Sequence, residues 1–121
     1  MLISLLPLLR PIIFMKGAVV ARQGCPALEL FFVYSGQGET FSSINQSDDN
    51  HIISIPKTTF SANSCIGHKA FFGRKLWNTD VHASSSLLLL ALHISDWSAL
   101  VREFPREKAR FEAAFRHAEF E

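Results

Sequence analysis

The chain has 121 residues, 12 Lys+Arg against 11 Asp+Glu, and a formal net charge of +1. Its apolar fraction of 48 % excludes a disordered chain. The near-zero charge argues against a partner held by bulk electrostatics, such as nucleic acid or a membrane surface. One domain with a core of its own fits this length, and 11 of the 14 aromatic residues available to it are phenylalanine.

Leu2 to Met15 is strongly apolar, but Pro7, Arg10 and Pro11 interrupt it. It falls short of the ~20 apolar residues that a membrane-spanning helix needs, so no direct membrane insertion is expected. The basic stretch and small-residue cleavage site of a secretory signal are missing as well. Residues 2–9 are therefore read as a short helix that runs into a strand. The abrupt ends of the sequence suggest a piece of a longer chain.

From Pro11 to His93 the pattern is one of short strands separated by turn chemistry. Ile12 to Met15 ends at Lys16-Gly17, and Ala18 to Ala21 is closed by Gln23-Gly24. Leu28 to Tyr34, rich in aromatic and β-branched residues, is the strongest strand signal. Glu39 to Ile44 alternates weakly. The polar run Ser42 to Asn50 has no apolar period and reads as an exposed hairpin loop. Ile52, Ile53 and Ile55 make a strand that Pro56 should end, and Val81 to Ala83 and Leu87 to His93 are the last two. Strands this short at such spacing predict an antiparallel β-barrel or jelly roll rather than βαβ units.

After residue 93 the period changes. Ser95 or Asp96 can cap a helix in which Trp97, Leu100, Val101 and Phe104 recur at helical spacing. Pro105 suits the first turn of a second helix, with Phe104, Phe111, Phe115 and Ala118 along one face. Lys108 with Glu112, and Glu112 with Arg116, are i,i+4 pairs on its polar side. Its last turn, His117 to Glu121, is expected to be mobile. The fold class is thus α+β: a single domain over 1–121, with a short N-terminal helix, a β-barrel over 11–93 and C-terminal helices over 95–121.

Chemistry-bearing residues are sparse. Cys25 and Cys65 are too few for a disulfide framework and lack metal spacing, which makes a reducing compartment the default. Cys65 reads as a small buried hydrophobe and Cys25 as an exposed turn residue. His51, His82, His93 and His117 are scattered without ligand spacing. The Ser84-Ser85-Ser86 run has no His or acidic partner in a recognisable motif, and no set of nucleophile, base and oxyanion donors can be assembled. An enzyme is not expected.

Several of these pieces, in this order, resemble the cyclic nucleotide-binding domain family. Leu9-Arg10-Pro11 followed by Phe14, Gly17 and Gly24 is similar to the family's opening, and Leu30-Phe31-Phe32-Val33 before Gly36 to its third strand. Ile66-Gly67-His68-Lys69-Ala70-Phe71-Phe72 stands where the family carries its phosphate-binding cassette, here 66–79. Val81 and Ala83 match the strand beyond the cassette, and Asp96 to Pro105 the helix that ends in Phe-Pro.

The resemblance implies a ligand, cAMP or cGMP, and no further cofactor. A Gly-led turn into a short helix offers backbone N–H groups to an anionic phosphate. The residues implied to face it are Gly67, His68, Lys69, Ala70, Trp77, Asn78 and Thr79. Ligand-binding members place a Glu directly after the Gly and an Arg ten residues after it; here those positions are His68 and Trp77. An Arg fork pairs two phosphate oxygens at once, and its loss predicts weak cyclic nucleotide binding. Arg74, Lys75 and His82 are the candidate charge substitutes. Trp77 is read as filling the pocket in preference to stacking on a purine. His68, as a residue on its own, is read as a solvated loop histidine.

The implied function is a regulatory ligand-sensing domain that couples its pocket to an attached effector. The Leu9-Arg10-Pro11 opening and the Phe104-Pro105 exit look most like the cytoplasmic domains of tetrameric cation channels. A nucleotide-insensitive structural module of a channel or another signalling protein is the alternative. A transcription regulator would want a helix-turn-helix after the last helix and a basic face.

Overall fold

The computed structural model describes residues 6–46 and 51–117. Strands β1 (Arg10–Phe14), β2 (Val19–Ala21), β3 (Glu29–Ser35), β4 (Gly38–Gln46), β5 (His51–Phe60), β6 (Cys65–Ile66), β7 (Asp80–Ala83) and β8 (Leu87–His93) form two four-stranded sheets. Their orders are β1-β8-β3-β6 and β2-β7-β4-β5, and every pairing is antiparallel. Helix α1 (His68–Phe72) follows β6, while α2 (Ile94–Glu103) and α3 (Lys108–His117) close the described chain. This is the jelly-roll, α+β architecture that the strand spacing predicts.

Alternation along the central strands builds two cores. Phe31 and Val33 of β3 lie opposite Ala91 and Leu89 of β8, and all four are buried between the sheets with Phe60, Val81 and Ala83. One residue along, Leu30 opposite Leu92 faces the other way. There it meets Cys65, Phe71, Trp97, Leu100 and Phe111 in a second cluster roofed by the helices. Covered on both faces at that end, β8 needs a continuous apolar run, and Leu87–His93 supplies one. Each fully buried Leu or Phe contributes about 1.5–3 kcal/mol. Cys65 is buried and Cys25 exposed, as expected.

Four local expectations are overturned. Ser42 to Asn50 is not a loop throughout: β4 runs to Gln46, which pairs with His51, and residues 47–50 lie outside the described ones. The backbone ladder carries this extension, so it needs no apolar period. Pro56 does not end β5, because β5 is an edge strand and the ladder shifts register where Phe41 meets Pro56. A missing N–H is tolerated at such a place.

Neither Ser95 nor Asp96 caps α2. His93 does so, its Nδ1 accepting from the Ser95 backbone N–H at 3.1 Å, while Asp96 in the first turn reaches Arg10 at 3.8 Å. Phe104 is 37 % exposed rather than on a packed face. Preceding Pro105, it must leave the helical region, and it does so at φ −126°, ψ 65°.

The expected N-terminal helix is a 3-10 turn, Leu6–Leu8, among the described residues, and residues 2–5 lie outside them. Leu8 and Leu9 pack against the helix-side core. A second 3-10 turn, Pro105–Glu107, opens the last helical segment. Lys108 and Glu112 are paired at 4.0 Å. The side chains of Phe115 and Arg116, and residues 118–121, fall outside the description. Among the described residues no helix is long and apolar enough to cross a membrane.

Candidate functional site

Gly67 starts the cassette in the left-handed region, at φ 82°, ψ 12°. Only glycine adopts this conformation without strain, and it turns the chain from β6 directly into α1. The Gly67 carbonyl accepts from the Phe71 N–H at 2.9 Å. The returning segment is sewn to the turn between β2 and β3: Trp77 N–H donates to Cys25 O at 2.8 Å, Gly24 N–H to Trp77 O at 2.9 Å, and Ala27 N–H to Lys75 O at 3.1 Å. Gln23 N–H donates to Asp80 Oδ1 at 2.7 Å.

These bonds fix where Trp77 points. Its indole lies directly against Gly67, so that any Cβ there would strike the ring. It also stacks with Phe31, centroids 6.2 Å apart and planes 28° from parallel. Trp77 is only 7 % exposed and belongs to the core between the sheets. Trp77 and Phe31 also border a cleft of about 370 Å³ whose rim includes Arg22, Cys25 and Glu29.

The remaining cassette residues divide into two groups. Gly67, His68, Ala70, Trp77 and Thr79 sit at the inner side: His68 and Thr79 are buried, and Ala70 packs against the core. Lys69 and Asn78 are exposed. His68 is 4 % exposed, which corrects its reading as a solvated loop residue. As the first residue of α1 it directs its ring inward, and Nδ1 is shielded from solvent.

The candidate charge substitutes are not gathered at Gly67. Arg74 lies beyond the other end of α1, where its Nη2 reaches Ser98 Oγ on α2 at 3.5 Å. Lys75 is exposed and donates its N–H to Ala70 O at 2.8 Å. His82, on β7, packs its ring on Phe41 at 4.9 Å. Phe31 is the site residue that sequence reading placed only in a strand; the alternation along β3 could have pointed it inward. Among the described residues no group of three or more His, Cys, Asp or Glu could hold a metal ion.

No protein-family model matches the sequence, and no curated protein matches it. Solved structures do. The C-linker/CNBHD of zELK channels, crystallised in the presence of cAMP, superposes with a TM-score of 0.77 at 20 % identity, covering 99 % of this chain and 57 % of that one. The regulatory domain of Toxoplasma gondii PKA with cAMP gives 0.70 at 20 %, covering 88 % and 41 %. The fold is that of a cyclic nucleotide-binding domain. The catabolite activator protein of Thermus thermophilus shares it, with a TM-score of 0.72 at 18 % identity, covering 95 % of this chain and 51 % of that one. This chain therefore spans about half the length of such relatives. Within that fold, the group that lies against Gly67 in this chain is the Trp77 indole.

Proposed function

We propose that this chain is a regulatory module of the cyclic nucleotide-binding fold whose pocket is closed by its own Trp77. It binds cAMP or cGMP weakly and communicates with an attached effector, a cation channel, through its C-terminal helices. The observation that carries this reading is the buried indole against Gly67, at the position where the family resemblance implies an Arg in ligand-binding members. A charge-assisted hydrogen bond contributes about 1.5–3 kcal/mol, and each ~1.4 kcal/mol is tenfold in affinity. Exchanging the fork for an indole, and Glu for the buried His68, would take a micromolar site toward millimolar.

The channel assignment is supported by the similarity to the zELK domain, which extends over 99 % of this chain, and by the Leu9-Arg10-Pro11 opening. Coupling would follow from position. Phe71 of the cassette helix and Phe111 of α3 share one cluster, so a change at the cassette bears on the terminal helix. Any ligand shifts that equilibrium only by its differential affinity for the two arrangements.

Titration of the chain with cAMP and cGMP, followed by backbone amide shifts, tests the reading. Shifts at Gly67 to Ala70 that develop only at millimolar ligand are expected. Saturation at micromolar ligand would overturn the closed pocket. Complete silence at millimolar ligand would favour the nucleotide-insensitive module, for which the same buried Trp77 is the supporting observation.

A further inference from the structure

On the far side of α1 from Gly67, a groove of about 260 Å³ runs between the cassette helix, α2 and the start of α3. Phe72, Trp97 and Val101 line its floor, and Phe72 and Trp97 meet edge to face at 5.2 Å. Three cations from three elements stand around it: Arg74 after α1, Arg102 in the last turn of α2 and Lys108 at the start of α3. None of its lining residues is acidic. Lys108 touches Glu112 only at 4.0 Å, and its own side chain is exposed. No salt bridge to Arg74 or Arg102 is found among the described residues.

Arg74 holds its place at a cost. It is non-glycine at φ 52°, in the left-handed region, next to Gly73, which stays at φ −81°. This left-handed residue ends α1, with Arg74 N–H donating to Phe71 O at 3.3 Å and Lys75 N–H to Ala70 O at 2.8 Å. The Arg74 guanidinium reaches Ser98 Oγ at 3.5 Å.

We propose that this groove docks an acidic peptide segment of a partner protein. An apolar side chain of the segment would rest on Phe72 and Val101, and carboxylates flanking it would pair with Arg74 and Arg102. Charge complementarity selects this occupant: a basic rim without acids repels cationic segments and steers anionic ones. The apolar floor favours an occupant that carries an apolar side chain over a bare inorganic anion, because Phe71, Phe72, Ile94, Trp97 and Val101 line the groove beside the three cations. Trp77 does not line this groove.

The test uses the 121-residue chain and a fluorescein-labelled peptide with a Leu-Phe pair flanked on both sides by glutamates. Saturable anisotropy is expected, weakening as salt rises. The paired substitution Arg74→Glu and Arg102→Glu, on exposed positions, should weaken binding by about tenfold or more with the circular dichroism unchanged. A version with alanines for the Leu-Phe pair should also bind less tightly. The proposal is overturned by equal binding of a lysine-flanked peptide, by unchanged affinity in the paired variant, or by absence of saturation at millimolar peptide. Full displacement by equimolar inorganic phosphate would reduce the groove to a simple anion site and overturn it as well.

Discussion

Gly67 and Gly17 share a left-handed backbone, at φ 82° and 88°, but only Gly67 has an indole against its Cα. Gly17 has open space there. Alanine at Gly17 should therefore cost only the conformational penalty of about 1–2 kcal/mol. Gly67→Ala must also displace Trp77 and should lose at least ~1 kcal/mol more, since overpacking a core costs about 1–3 kcal/mol. Urea denaturation of the two variants checks this; equal losses would mean that Trp77 does not press on the turn. At the head of α2, His93→Ala removes the side chain that accepts from Ser95 N–H. A loss of about 1 kcal/mol is expected, of the size measured for other caps, and the same denaturation experiment reads it.

At the scale of elements, legibility in the sequence tracked how local the cause was. Leu87–His93 is a strand with the bounds its composition announced, because an unbroken apolar run between turns has few other uses. Lys108 pairing with Glu112 was equally legible, being fixed by helical spacing alone. The long β4–β5 hairpin was not, since its ladder is held by backbone bonds that polar residues such as Ser42 and Ser43 satisfy as well as any others. The burial of His68 depends on which way a five-residue helix is rotated, and so short a helix shows no periodicity that would fix this in the sequence. Within the site, the identity of the turn glycine and of the residue facing it could be read, and alternation along β3 could have turned Phe31 inward, while the dispersal of Arg74, Lys75 and His82 could not be read. Phe111, 1 % exposed and edge to face with Trp97 at 5.8 Å, pins α3 to this layer. Phe111→Ala should cost about 3–5 kcal/mol. Hydrogen exchange should then rise first in α3; unchanged protection there would contradict its anchoring role.

For the whole molecule, the sandwich core and the helix-side core are not independent, because β3 and β8 contribute alternate residues to both. One cooperative transition follows. Trp77 reports on the first core and Trp97 on the second, so Trp77→Phe and Trp97→Phe variants carry one indole each as a probe. Within each variant, fluorescence and far-ultraviolet circular dichroism should give coincident unfolding midpoints. A fluorescence midpoint well below the dichroism midpoint in the variant that retains Trp97 would show that the helical layer comes away before the sandwich.

The proposed function rests on the Trp77 indole lying against Gly67, in the place from which a cyclic phosphate would be held. Its most direct test is the ratio of cAMP dissociation constants for the chain and its Trp77→Arg variant, both followed by amide shifts at Gly67 to Ala70. Removing the ring from Gly67 and adding a guanidinium fork should tighten binding by about tenfold or more in a variant that still folds. Micromolar affinity in the unaltered chain, or a folded Trp77→Arg variant that binds no better, would contradict the account.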